Sequence, residues 1–299
     1  MHTTITKSNR DAKKRSAIYL LLTVGVCLLV GIISILASAE TGKVIFSALQ
    51  KAFTAIAVLA VVVTRFLTKD KSGWNLSLKV WKNGKILVFS AFLPGLAILL
   101  GAGIYYLLFP DEIRLNAQAL WDFCEQYGLP ADIAVNARTI AITAIALWLA
   151  SALAIPIHLL ELGEEIGWRG YLLPQLLQFM SSRKAAVVSG ILWGVMHAPL
   201  IYFGLNYGNG YWGAPYSGIL LMIVFCVTIG ILMSYTMIKT NNCMYAAIIH
   251  GAVNVAADMQ IISLAVGRPL IGPAPTGIIG MSLLLIVALV LFCKFPASK

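Results

Sequence analysis

Charge is scarce in this sequence, and what there is leans one way. Asp, Glu, Lys and Arg supply only 11% of the 299 residues, with 22 basic against 12 acidic, for a net charge of +10. Soluble domains carry nearer a quarter of their residues as charges. With 60% hydrophobic residues and a mean hydropathy of +0.87, an ordinary soluble domain is excluded. Five cysteines (Cys27, Cys124, Cys226, Cys243 and Cys293) form no CxxC pair, which argues against a disulfide framework or a zinc knuckle. They read as small hydrophobes. No HExxH occurs, and the histidines are four: His2, His158, His197 and His250. No internal repeat of the transporter kind is visible.

What the sequence has instead is long apolar runs. About 20 apolar residues cross a hydrocarbon core of about 30 Å. Eight stretches qualify, at approximately 16–38, 46–67, 86–108, 139–160, 185–203, 216–238, 244–264 and 276–293. The expected fold is therefore all-α: a polytopic membrane helix bundle of about eight transmembrane helices. "ASA" at Ala37–Ala39 resembles a signal-peptidase site, but the run from Ala17 to Ala37 exceeds the roughly 7–15 residues of a cleaved signal. A retained signal anchor is expected.

Orientation follows from lysine and arginine, which collect in cytoplasmic loops. With eight spans and both termini cytoplasmic, 17 of the 22 basic residues fall inside; the five outside are Lys43, Lys51, Arg114, Arg138 and Arg268. The positive charge is then explained by loops beside anionic lipid, and no nucleic-acid partner is needed. "GWNLSLKVWKNGK" (Gly73–Lys85) mixes Trp74, Leu76, Leu78 and Trp81 with lysines. It suits a segment lying on the cytoplasmic interface or an ordinary connecting loop.

Intramembrane ionisable groups are unfavourable by a few kcal/mol unless paired or hydrated, which makes them functional candidates. Three stretches carry them, all in the second half. In "ELGEEIGWRG" (Glu161–Gly170), about 100° per helical residue puts Glu164, Glu161, Glu165 and Arg169 on one face. Gly163, Gly167 and Gly170 fall on the other, smooth enough for a neighbouring helix to approach closely. Glu165 and Arg169 are spaced for an i,i+4 ion pair, leaving Glu164 free for proton chemistry. Pro156 is placed to kink the helix entering this stretch. In "LWGVMHAP" (Leu192–Pro199), Trp193 and His197 share a face. In "HGAVNVAAD" (His250–Asp258), His250 and Asn254 lie one turn apart and can aim donors at one point, as an oxyanion requires. Each stretch also has a structural explanation: a salt-bridged helix end, an interhelical hydrogen bond, a polar stripe. Together they hold a base, an acid and oxyanion donors, the inventory of amide hydrolysis.

Taken in order, "EEIGWR" (Glu164, Glu165, Arg169), "WGVMH" (Trp193, His197) and "HGAVN" (His250, Asn254) resemble the three motifs EExxxR, aromatic-xxxH and HxxxN of the CPBP family. This is the Abi or CAAX-protease-like family of intramembrane glutamic endopeptidases, related to the Ras-converting CAAX prenyl endopeptidase. The resemblance covers roughly residues 140–260. It implies that Glu164 activates water with His197 as its partner, and that His250 and Asn254 stabilise the oxyanion. Glu165 and Arg169 then support or orient. Trp193 departs from the family, where phenylalanine is common. His158, Glu161 and Asp258 lie outside the motifs and receive no role.

The chain divides on this reading into scaffold helices and loops at 1–138, a CAAX-protease-like catalytic core at 139–264, and a C-terminal helix at 265–299. The expected function is intramembrane hydrolysis of a peptide bond in a membrane-associated peptide or protein that enters a water-filled cavity from the cytoplasmic side. No cofactor is expected. A zinc ion held by Glu164, His197 and His250 is the less favoured variant, since Asn254 is a poor zinc ligand and a good oxyanion donor. The expected setting is a bacterial cell membrane, with a peptide or protein substrate and the bilayer as partners. The alternatives are a non-catalytic immunity or scaffold protein of the same fold and, less favoured, a proton-coupled transporter.

Overall fold

The computed structural model describes residues 7–112, 137–258 and 268–296, and every regular element among them is helical. Helix α1 (Lys7–Leu20) passes through a π turn (Leu21–Gly25) into α2 (Val26–Leu36). Next come α3 (Ala39–Thr68), α4 (Gly84–Leu108), α5 (Ala137–Leu153) and α6 (Ile155–Glu165). A π-helical segment (Ile166–Leu172) leads from α6 into the short α7 (Leu173–Leu176). Then follow α8 (Ser182–Met196), α9 (Ala198–Tyr202), α10 (Tyr216–Thr240), α11 (Met244–Asp258) and α12 (Ile278–Cys293).

Local sequence accounts for the breaks. Ser38 caps α3 by accepting from the Thr41 N–H, and Ser181 caps α8 by accepting from the Lys184 N–H. Proline opens α6, α7 and α9 (Pro156, Pro174, Pro199), where a missing N–H is harmless. At Pro156 the consequence is large, because the chain bends by 56° between α5 and α6.

The expectation of eight spans is corrected. Four helical stretches among the described residues are long and apolar enough to cross a membrane: Ser8–Leu36, Glu40–Thr68, Val80–Leu108 and Tyr216–Thr240. A fifth arises if Ala144–Leu153 and Ile155–Leu176 count as one bent span. Counting apolar residues overestimates here because α8, which carries Trp193 and leads to His197, is short: it has 15 residues, about 22 Å of helix against a core of about 30 Å. Residues 259–264 of the expected seventh span lie outside the described residues. The protein is an integral, multi-spanning membrane protein.

Close helix contacts run through glycine. Gly163 faces Thr54 of α3, where an added Cβ would come within 2.5 Å of the threonine methyl. Gly167 faces Ala57, with its methyl at 3.0 Å and its carbonyl at 3.2 Å from such a Cβ, and also faces the Tyr19 hydroxyl. The small-residue face of the motif helix is thus where α3 seats. Gly190 and Gly194 serve the α8–α10 contact in the same way, against the Val227 and Ile223 backbones.

The bundle has two distinct ends. At one, Arg15 pairs with Asp70 (3.5 Å), the Ser8 hydroxyl donates to Gln178, and the Ser182 hydroxyl donates to the Pro296 carbonyl. The segment after α3 is held here too: Asn75 donates to the Gly170 carbonyl, and Asn242 bonds both the N–H and the carbonyl of Ser77. Burial raises the Asp70 pKa, but the Ser72 N–H, Arg15 and the Ser72 hydroxyl more than offset it and hold the carboxyl below its usual range. The stability this tether contributes is therefore present at neutral pH and drains away as pH falls through that lowered value. Trp74, Leu78 and Trp81 are 45%, 66% and 67% exposed beside Lys79 and Lys82, the pattern of an interfacial segment. At the other end lie the connections 37–38, 203–215 and 268–277, joined where Phe46 meets Phe203 and where Tyr207 donates to the Thr276 carbonyl.

A Gly167→Ala substitution is expected to push α3 from the motif helix and destabilise the protein by about 1–3 kcal/mol. Gly73→Ala, with open space around it, is expected to leave the melting temperature unchanged. Thermal unfolding of both variants in the same detergent checks this.

Candidate active site

Glu165 is the centre of the polar constellation. It is fully buried, and both its carboxylate oxygens accept from Arg169 Nη1 at 3.0 Å. Its Oε1 also lies 3.0 Å from His250 Nδ1, a contact that joins α6 to α11. Arg169 sits in the π segment, whose wider turn carries its guanidinium to 4.5 Å from the centre of the Trp193 ring. Gly230 on α10 leaves room for Arg169 Nη2, since a Cβ there would stand 3.1 Å from it. Five elements (α6, the π segment, α8, α10 and α11) therefore meet around one ion pair.

Glu164 points elsewhere. Its Oε2 accepts from Trp193 Nε1 at 2.9 Å, and it lines a chamber of about 350 Å³ together with Glu161, His197, His250 and Asn254. Trp193 stands between the two histidines, with ring centres 5.5 Å from His197 and 5.2 Å from His250. The indole N–H is a contact that phenylalanine at this position cannot make. His197 Nδ1 lies 2.8 Å from the Trp193 carbonyl, a pure acceptor. That bond places the ring proton on Nδ1 and leaves Nε2 with a lone pair. Phe53 packs on the His197 ring at 4.9 Å and limits its rotation.

Six residues named from sequence thus lie around one chamber or directly beneath it. Glu164, His197, His250 and Asn254 line it, and Glu165 and Arg169 lie below, fully buried. His158 is buried but its Nε2 contacts the Ser151 carbonyl at 2.9 Å, a structural bond between α6 and the end of α5. The Asp258 side chain lies outside the described residues.

Glu161 is the residue that the motif reading left without a role. Its Oε1 accepts from Asn254 Nδ2 at 2.9 Å, while its Oε2 lies 3.4 Å from His250 Nε2. The carboxylate therefore occupies the point at which His250 and Asn254 aim. With Glu165 on Nδ1 and Glu161 on Nε2, both ring nitrogens of His250 must donate for both contacts to be hydrogen bonds. A signal for Glu161 was present in its position on the helix wheel, between Glu164 and Glu165.

Among the described residues, the ligand atoms of Glu161, Glu164 and His250 fall within 4.8 Å of one another. Two carboxylates and an imidazole fit a divalent cation, with Glu165 behind Nδ1 as the outer partner such histidines usually have. His197 is not in this group, so the Glu164–His197–His250 zinc set expected as a variant is replaced by one containing Glu161.

Known proteins resemble this region. Residues 141–256 match the family model described as "Type II CAAX prenyl endopeptidase Rce1-like". The CAAX prenyl protease 2 of Methanococcus maripaludis is 29% identical over 101 residues, which is 33% of this chain and 37% of the relative. The chain thus matches little more than a third of that relative's length.

Two substitutions test the geometry. Glu165→Ala strands the Arg169 guanidinium and His250 Nδ1 in the interior, and a loss of about 3–5 kcal/mol is expected. Trp193→Phe removes one donor from a buried carboxylate and is expected to cost about 1–3 kcal/mol. Chemical or thermal unfolding in detergent measures both, and the order of the two losses is the prediction.

Proposed function

Since the chain belongs, through residues 141–256, to the Rce1-like CAAX-protease family, we propose that it is an intramembrane endopeptidase that cleaves a membrane-associated peptide or protein with water activated by Glu164. The supporting observation is the division of labour between adjacent carboxylates. Glu165 is consumed by Arg169 and His250, whereas Glu164 is held by a single indole N–H and faces the chamber. Two carboxylates in contrasting environments are the usual arrangement for separating structural and acid–base roles.

In the proposed reaction, Glu164 takes a proton from water as the oxygen attacks the scissile carbonyl carbon. The lone pair on His197 Nε2 helps to orient that water. The carbonyl oxygen becomes an oxyanion and accepts from His250 Nε2–H and Asn254 Nδ2–H, displacing the Glu161 carboxylate that occupies both donors in the resting structure. When the carbon–nitrogen bond breaks, the proton held by Glu164 passes to the leaving amine. Residues 139–264 act as the catalytic core, with 1–138 and 265–299 as its scaffold.

The reaction is proposed to run without a metal, because the donors on His250 and Asn254 already answer the need for oxyanion stabilisation. A divalent ion held by Glu161, Glu164 and His250 would supply an acidified water instead. The organism is proposed to be bacterial, although the curated relative is archaeal.

Two outcomes are expected. Cells carrying Glu164→Gln at matched membrane abundance are expected to lose peptide termini that cells with the native protein produce. Identical catalogues of termini would favour a binding role on the same fold. Hydrolysis of the peptide so identified is expected to survive a strong chelator. Loss that zinc restores would move the assignment to the Glu161–Glu164–His250 metal set.

A further inference from the structure

The chamber uses one face of α10, through Met222, Cys226 and Ile229. At about 100° per residue, Val224, Val227 and Ile231 fall nearly opposite, and that far face is also shaped. There α8 and α12 both pack on α10 and leave an apolar trough of about 430 Å³ between them. Its floor is Thr228, Ile231 and Ala288, all buried, and the Thr228 hydroxyl is spent on the Val224 carbonyl. Its edges are Ile191, Val224 and Leu289, one from each helix and all exposed. Along α10 the trough runs from Ile231 to Ile223. That is about 12 Å of helix, close to one leaflet of a hydrocarbon core about 30 Å thick.

At the Phe292 end the trough runs into a basic cleft. An open cavity of about 750 Å³ lies beside Arg183 and Lys184 at the start of α8, and it shares Val187 and Phe292 with the trough. Arg183 is fixed in place: its Nε and Nη2 donate to the Phe292 and Cys293 carbonyls at 3.1 Å. Its guanidinium stands 5.6 Å from the centre of the Phe292 ring. Lys13 adds a further cation, 5.5 Å from the ring centre of Phe179 in the cleft wall. This positive charge is not balanced locally. Residues 166–257 and 259–299 contain neither Asp nor Glu, so α8, α10 and α12 carry no carboxylate. Among the described residues, no ion pair engages Lys13, Arg183 or Lys184.

We propose that trough and cleft form one binding site for an anionic phospholipid, with its phosphate at Arg183 and Lys184 and one acyl chain laid along α10 between α8 and α12. Each half of the site answers one half of such a molecule. A trough alone would accept any apolar chain, and a basic cleft alone any phosphate. Joined through Val187 and Phe292, they select a molecule that carries both. Basic pockets between transmembrane helices suit acidic headgroups for the same electrostatic reason. The bound lipid bridges α8 and α12, and α8 carries Trp193 and leads to His197. Occupancy therefore braces the histidine side of the chamber from behind. The site does not depend on the endopeptidase reading.

Native mass spectrometry of the full chain in detergent tests this. The delipidated protein is titrated with palmitoyl-oleoyl phosphatidylglycerol, with phosphatidylcholine of the same chains, and with glycerol phosphate as the free headgroup. One phosphatidylglycerol is expected to bind at least tenfold more tightly than phosphatidylcholine, and glycerol phosphate at equal concentration is expected not to displace it. Lys184→Gln is expected to weaken phosphatidylglycerol about fivefold and to leave phosphatidylcholine unchanged. Lys79→Gln, at the same end but outside the cleft, is expected to change neither. Val224→Trp and Leu289→Trp fill the trough from two different helices, and each is expected to weaken both lipids at least tenfold. An unchanged melting temperature in lipid-free detergent shows that a trough variant is folded, and either folded variant decides. Equal affinity for the two lipids, displacement by glycerol phosphate, or undiminished binding to a folded trough variant overturns the proposal. A dimer mass that Val224→Trp abolishes assigns the trough to a second copy and overturns it too. Carried out in a Glu164→Gln background, the titration reads the same whether or not the protein cleaves peptides, which separates the failure of one reading from that of the other.

Discussion

The Glu165–Arg169 ion pair is the constraint on which the rest of the interior depends. A buried charge pair needs its two charges in good register and neighbours that leave room for them. Here one carboxylate serves two partners on different elements, while the guanidinium, whose Nε and Nη2 make no hydrogen bond among the described residues, lies across an indole ring with a glycine behind it. Each of those requirements places another side chain. His250 is turned by its Nδ1 contact so that Nε2 faces the chamber, and Trp193, its ring against Arg169, is placed to donate to Glu164. His197 follows, anchored to the Trp193 carbonyl. The chamber's chemistry is in this sense an outer layer grown on one ion pair.

Building such a centre inside a membrane changes the helices around it. The chain bends by 56° at the α5–α6 break, adopts a π segment over Ile166–Leu172, and keeps α8 to 15 residues. π segments concentrate at functional sites because the extra residue per turn re-aims a side chain; here the side chain is Arg169. The long apolar helices α3, α4 and α10 make up the missing thickness. Glycine at Gly163 and Gly167 lets α3 lie against the motif helix, close enough to bring Phe53 onto His197.

Much of this was legible in the sequence. Helical periodicity grouped the carboxylates, separated Glu164 from the Glu165–Arg169 pair, and put glycine on the opposite face. The i,i+4 spacing brought His250 and Asn254 to a common point. Three features were not legible. The number of spans was overestimated because apolar residues in a short, protein-packed helix look like those in a lipid-crossing one. The π segment leaves no signature in a pattern read at a fixed angle per residue. Glu161 lay on the acidic face, but only tertiary structure shows that its carboxylate fills the gap between two donors from another helix. Trp193 looked like a bulkier version of an aromatic spacer, and its indole N–H turns out to contact Glu164.

The floor beneath the chamber has a meaning for the membrane as well as for the reaction. A hydrated pocket that admits water deep into a bilayer is a potential leak for protons and small ions. In this molecule the layer of Trp168, Glu165 and Arg169 is completely buried, and its fixed charges are already neutralised by one another and by His250. Beneath the chamber lies a carboxylate already paired with Arg169 and His250. The ion pair that organises the site is therefore also a layer of paired charge buried beneath a polar chamber.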